Sequence, residues 1–211
     1  MMPAAALSAA LTAALAAMAN PEPVSPLVLA NFEPGNADDP RWLVVNDNVM
    51  GGRSTGGPAM HDGSVTFSGF TNTNGGGFSS IRTERLDLDL SEHEGITIRV
   101  RGDRRAYRIM LRTDARFRRD TFSYAAEFTP SSESEWSEVF LPFPDFRASW
   151  RGSDIQDQVP SLDPAKIEQI GVIIGDGIHG EFSLEIDEIR ATAAPLPDPE
   201  PNPKPGSDGK L

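Results

Sequence analysis

The chain has 211 residues, room for one domain with tails, and carries a net charge of −12. It has no cysteine, which excludes a disulfide scaffold, a zinc–thiolate site and a cysteine nucleophile. The acidic balance argues against non-specific nucleic-acid binding. Even so, nine of the sixteen arginines fall between Arg99 and Arg119, a basic stretch inside an acidic protein.

Residues 1–19 are rich in Ala, Leu and Met, and Ala17-Met18-Ala19 gives a small-x-small site with a cut before Asn20. They are expected to form a signal peptide, although no Lys or Arg precedes the apolar run. Residues 20–26 read as a Pro-rich linker. Residues 193–211 read as a Pro-rich tail too poor in apolar residues to build a core. Between them, 27–192 is expected to be one β-sandwich domain.

Within that domain the apolar period is two, as in strands with one face buried. In chain order the alternating sets are Val65 and Phe67; Leu86, Leu88 and Leu90; and Ile96, Ile98 and Val100. Then come Tyr107, Ile109 and Leu111; Phe122, Tyr124, Ala126 and Phe128; Ile170, Val172 and Ile174; and Phe182, Leu184 and Ile186. Turn signals separate them at Asp62-Gly63, Gly75-Gly76-Gly77, Glu94-Gly95, Gly102-Asp103 and Asp176-Gly177. Short helical turns are expected at 143–147 and 163–168, the latter with Asp163 as cap and Pro164 in first position. Many short strands at this spacing predict an all-β sandwich or jelly roll.

Four stretches carry unusual polar or glycine-rich chemistry. They are Val45-Asn46-Asp47-Asn48-Val49-Met50-Gly51-Gly52-Arg53-Ser54; Asn74-Gly75-Gly76-Gly77-Phe78-Ser79-Ser80-Ile81-Arg82; Val100-Arg101-Gly102-Asp103; and Trp136 to Phe143. In this order they resemble the complex I intermediate-associated protein 30 family over nearly all of residues 30–190. That resemblance implies a galactose-binding-like jelly roll, the architecture also used by many carbohydrate-binding modules. Mitochondrial members are chaperone-like factors for assembling respiratory complex I, whereas bacterial members are largely uncharacterised. The family pattern has Gly-Asp-Gly where this chain has Gly102-Asp103-Arg104-Arg105, so a hairpin of altered shape is expected there.

The residues give two readings for each loop. Asn46, Asp47, Met50, Gly51, Gly52 and Ser54 can line a binding site or cap a structural turn. Asn74, Gly76, Phe78 and Arg82 read similarly, as the lining of a binding site or as a hairpin loop or bulge entering a strand. Arg82 follows Phe78 and Ser80 by twos and is expected to face inward, where Asp47 or Asp103 would pair with it. Arg99 and Arg101, opposite Ile98 and Val100, should point outward. So should Arg108 and Arg112, opposite Ile109 and Leu111. If the turn at 102–106 joins paired neighbours, these four make one basic docking face for an acidic partner or anionic headgroups. Trp136 is expected in the core. Asp38, Asp39, Asp154 and Asp157 match no named calcium loop.

No enzyme signature is found. His61, His93 and His179 lack metal-ligand spacing, no Gly-x-Ser-x-Gly elbow occurs, and Gly51–Gly57 lacks the lysine of a phosphate loop. No metal or cofactor is implied. The expectation is a non-enzymatic binding protein that docks to a protein partner such as complex I subunits, with peripheral membrane contact. The alternative is a periplasmic module for a carbohydrate or small ligand. The leader predicts an extracytoplasmic location. The family's matrix-side role would instead place the chain in the cytoplasm, peripheral to the inner membrane.

Overall fold

The computed structural model describes residues 24–37 and 39–195. The leader at 1–19, Asp38 and most of the Pro-rich tail lie outside the described residues. The strands run in chain order as β1 (Leu27–Ala30), β2 (Trp42–Asn46), β3 (Thr55–His61), β4 (Ser64–Thr71), β5 (Ser79–Thr83), β6 (Gly95–Gly102) and β7 (Tyr107–Thr113). They continue as β8 (Ser123–Phe128), β9 (Ser137–Pro142), β10 (Arg147–Trp150), β11 (Ser153–Asp154), β12 (Ile167–Ile174) and β13 (Gly180–Thr192).

They form two antiparallel sheets packed as a jelly-roll sandwich. Sheet A has the order β3-β4-β13-β6-β9, with β1 also on β13. Sheet B has the order β11-β10-β8-β7-β12-β5-β2. The chain crosses between sheets at β1–β2, β2–β3, β4–β5, β5–β6, β6–β7, β8–β9, β9–β10 and β12–β13. The core lies between them. Ile96, Ile98 and Val100 of sheet A and Tyr107, Ile109, Leu111, Val172 and Ile174 of sheet B are all fully buried. Burying each such side chain contributes about 1.5–3 kcal/mol, so period-two alternation decides which strand face turns inward. Tyr107 adds a polar anchor, its hydroxyl donating to Asp103 Oδ1 at 2.8 Å. Burial, reinforced by the Asp103 charge, pushes that phenol's pKa up.

Three expectations are corrected. Residues 86–90 form no strand: Leu88 exchanges both backbone bonds with Ile167 as an isolated bridge, and the Leu86 and Leu90 amides donate to the Glu168 and Pro164 carbonyls. The helical turns are shorter than expected, 3-10 turns at Phe143–Asp145 and Pro164–Lys166, with Asp163 accepting from the Ala165 amide. Segment 102–106 is not a hairpin between neighbours but a crossover. β6 pairs with β13 and β9, whereas β7 pairs with β8 and β12.

That crossover separates the four arginines expected on one face. Arg99 and Arg101 lie on the outer side of sheet A, paired with Asp187 at 2.5 Å and Glu185 at 2.7 Å. Arg108 and Arg112 lie on the outer side of sheet B. Trp136 is half-buried rather than in the core, packed against Arg99 and Arg101 with their guanidinium carbons 5.2 and 4.6 Å from its ring centroid.

The sequence departure after Gly102 also has a role. Arg105 spans the crossover and holds Asp176 through two bonds of 3.0 and 2.6 Å. Its remaining donors reach Thr71 and the carbonyls of Ile178, Gly180 and Glu181. Both partners are nearly covered, at 10% and 5% side-chain exposure. One arginine therefore ties the β4, β6–β7 and β12–β13 ends together.

Candidate functional site

The local architecture begins at Asp47. Residues Asp47–Met50 make one 3-10 turn after β2, closed by Gly51 at φ 87°. The Asp47 side chain is fully buried beneath the loops. Its Oδ1 accepts from the Ser54 amide at 2.8 Å, and its Oδ2 from the Ser54 hydroxyl and the Gly77 amide, both at 2.6 Å. A longer contact comes from the Phe78 amide. Ser54 Oγ in turn accepts from the Asn72 amide. Burial alone would raise the Asp47 pKa; the donors from Ser54, Gly77 and Phe78 outweigh it and hold the carboxyl below its ordinary value.

The glycines follow from this clamp. A Cβ on Gly52 would sit 2.2 Å from the Asp47 carboxyl carbon, and one on Gly76 2.3 Å from its Oδ2. Asn46 reinforces the same junction, accepting from Ser79 Oγ and donating to the Gly56 carbonyl. The first two sequence stretches are thus one unit, in which a buried carboxylate locks two loops together. Asn46, Asp47, Gly52, Ser54 and Gly76 serve structure, and Gly51 supplies the left-handed turn.

What those loops present is different. Val49 and Met50 stand out at 69% and 61% exposure. With Phe78 they wall one end of a groove of about 530 Å³ across the outer face of sheet B. Its floor carries Arg82, Arg108, Met110 and Arg112, on β5 and β7. Its far end is Asp120, Trp150 and Arg151. Arg82 does share a face with Ser80, as expected, but that face is the outer one: Ile81 between them is the core residue, with no exposed surface. The expected carboxylate partners are also corrected. Asp47 is committed to the loop clamp, and Asp103 binds Tyr107, the Arg105 amide and the Ser183 amide on the sheet A side. Asn74 is exposed at a loop tip, its amide held by Asn72.

The floor arginines have few partners. Among the described residues, no carboxylate lies within 4 Å of Arg82, Arg108 or Arg112. Arg82 Nε donates to Ser80 Oγ, and Arg112 donates to Ser123 Oγ and Gln169 Oε1. Burial and repulsion from Arg112 pull the Arg82 guanidinium down to about 10. Arg112 is also lowered by burial, with Asp120 opposing and Arg116 adding to the shift.

The sequence marks the far-rim residues Trp150, Arg151, Arg118 and Arg119 as loop residues but does not show their backbone geometry. Phe117 and Asp120 exchange backbone bonds across a two-residue turn, with Arg118 and Arg119 at φ 50° and 67°. Arg151, at φ 50°, and Gly152, at φ 84°, make a similar turn between β10 and β11. Such turns favour Asn-Gly, so arginine there is unusual. Arg118 and Arg151 lie over Trp150, and the Trp150 Nε1 donates to Asp120.

A shallower dish on sheet A, lined by Arg101, Asp103, Glu133 and Glu185, is a weaker candidate because Arg101 is already paired with Glu185. Two of the calcium candidates are engaged as well. Asp39 accepts from the Asn31 amide, and Asp154 from Arg147 and the Gln156 amide.

A two-sheet antiparallel jelly roll with an open groove across one sheet places the chain in the β-sandwich class. Over residues 30–186 the sequence matches the complex I intermediate-associated protein 30 family, and the chain belongs to it. The mitochondrial Complex I intermediate-associated protein 30 of Mus musculus is 28% identical over 178 residues, 74% of this chain and 53% of that protein. The chain thus matches about half the length of the mouse relative. In solved structures, the family 11 carbohydrate-binding module of Lic26A-Cel5E from Clostridium thermocellum superposes with a TM-score of 0.60 at 18% identity, covering 82% of this chain and 97% of the module. The same module in complex with a β-1,3-1,4-mixed-linked tetrasaccharide gives 0.59 at 19%, covering 82% and 98%. At such identity the likeness is one of fold.

Proposed function

We propose that this chain is a non-enzymatic docking protein of the complex I assembly type, which holds a partner polypeptide in the groove of sheet B. The observation that carries the reading is the division of labour in the Asp47 loop. Its polar and glycine residues are spent on holding a fixed shape, and that shape displays Val49 and Met50 to solvent at the groove mouth. Exposed apolar side chains on a pinned loop suit an interface, because little ordering entropy is lost on binding. Methionine adapts to irregular partner surfaces. Family membership supports complex I as the assembly concerned.

The test is photo-crosslinking in the native host with p-benzoylphenylalanine in place of Met50, followed by mass spectrometry of the adducts. Adducts with complex I subunits or their assembly intermediates are expected. The same probe at Thr66, on sheet A, should give none.

A second reading, carbohydrate binding, is favoured by the superposition on carbohydrate-binding modules and by Trp150 in the groove. Calorimetry with mixed-linkage glucan oligosaccharides tests it: heat that disappears in Trp150→Ala would support it.

A further inference from the structure

The docking reading says where a partner sits but not what it presents. The groove's own charges answer that. Its lining holds four arginines, Arg82, Arg108, Arg112 and Arg151, against two aspartates, Asp47 and Asp120, a surplus of two positive charges in a chain of net −12. Asp47 is consumed by the loop clamp, and Asp120 is shared between Arg151 at 3.6 Å and the Trp150 ring nitrogen. Among the described residues no carboxylate lies within 4 Å of Arg82, Arg108 or Arg112, and Asp120 acts on Arg112 only from further away. Elsewhere the fold pairs arginines freely: Arg99, Arg101, Arg105 and Arg190 each hold a carboxylate within 2.7 Å. The basic character of residues 99–119 therefore survives unneutralised mainly at this groove. The rim adds to it with Arg118 and Arg119, exposed on a turn whose left-handed backbone disfavours any residue with a side chain. Half-buried cations held by neutral oxygens at most are disfavoured in the empty protein and gain most when an anion arrives.

Resting on the docking reading, we propose that the groove receives an acidic peptide segment of the partner. Its carboxylates lie over the Arg82–Arg108–Arg112 floor, and a neighbouring apolar side chain rests on Val49 and Met50. An acidic sugar would satisfy the arginines but not the apolar mouth. It would also need an open aromatic face, and the ring of Trp150 is already used. Arg151 lies over it, 4.6 Å from the centroid, and Phe117 packs edge-on at 5.6 Å.

The experiment titrates the full chain with a fluorescent Glu-Leu-Glu-Glu-Leu-Glu peptide and, separately, with an oligogalacturonate of equal charge. Binding is read by anisotropy and by the arginine Nε–Hε resonances. The peptide should bind and shift the resonances of Arg82, Arg108 and Arg112. Affinity should fall at least about tenfold in the Arg82→Gln, Arg108→Gln double variant and drop steeply as salt rises from about 0.05 to about 0.5 M. Met50→Ser should weaken the peptide but not the sugar. Folding is not at stake in the double variant, because the two side chains make between them one hydrogen bond, Arg82 to Ser80. Peptide binding unchanged in the double variant, no shift of these resonances, or tighter binding of the galacturonate would each overturn the proposal. Crosslinking from position 50 that persists in the double variant would leave docking in place and remove the acidic specificity. Loss of all crosslinks, even from the otherwise native chain, would remove docking itself.

Discussion

Replacing Asp47 with alanine removes the acceptor for the Ser54 amide, the Ser54 hydroxyl and the Gly77 amide, at 2.8, 2.6 and 2.6 Å. Bonds to a charged acceptor are worth about 1.5–3 kcal/mol each, and buried donors left without one cost about 1–3 kcal/mol. Gly77 lies near the surface and can recruit water, so the contributions do not sum in full, and a loss of about 3 kcal/mol is expected. For a sandwich of this size, with a urea slope of about 2 kcal/mol per molar, the unfolding midpoint should fall by about 1.5 M. Circular dichroism against urea measures it. A loss below about 0.5 kcal/mol would refute the clamp and return Asp47 to the list of binding residues. Asp47→Asn keeps one acceptor oxygen and should lose roughly half as much.

Gly76→Ala should destabilise by about 2 kcal/mol because its Cβ would meet Asp47 Oδ2 at 2.3 Å, whereas Gly75→Ala, with open space but φ +83°, should cost about 1 kcal/mol; thermal melts compare them. Acid sensitivity carries the same signature. Asp47 titrates lower folded than its ordinary 3.8, so its contribution is present above that value and lost as pH falls through the folded pKa; Asp47→Asn should flatten that part of a stability-versus-pH curve below about pH 4. Arg105→Ala strands the buried Asp176 carboxylate and should cost about 3–5 kcal/mol in urea unfolding, while peptide affinity at the groove in the folded fraction stays unchanged. Arg118→Asn with Arg119→Gly relieves the left-handed turn and should raise stability by about 1 kcal/mol while weakening the acidic peptide, read by a melt and an anisotropy titration.

The strands were legible because alternation reports burial directly. Ile96, Ile98 and Val100, or Ile170, Val172 and Ile174, could hardly lie otherwise. Pairing was not legible, because alternation says which side of a strand faces the core and is silent on which sheet it joins. Segment 102–106 is short enough for a hairpin, yet Arg105 uses it as a bridge between sheets, and the basic face inferred from it divides accordingly. Arg82 shows the same limit. Its kinship with Ser80 was readable, but inward and outward were reversed because the apolar residue between them, Ile81, was given no weight. At the site, the loops themselves stood out in composition. Their meaning depended on a contact across 30 residues, Asp47 to Gly77, which no local pattern announces. Arg118 and Arg119 are readable as loop residues extending the basic stretch, but their tight left-handed turn is not, because the glycine or asparagine that marks such turns is missing there.

The central claim is that the groove of sheet B, and not the dish of sheet A, is where a complex I partner docks. Crosslinking from position 50, with position 66 as the control, tests it most directly. Adducts containing complex I subunits from position 50 alone are predicted. Adducts from both positions alike, or none containing a complex I component, would contradict it.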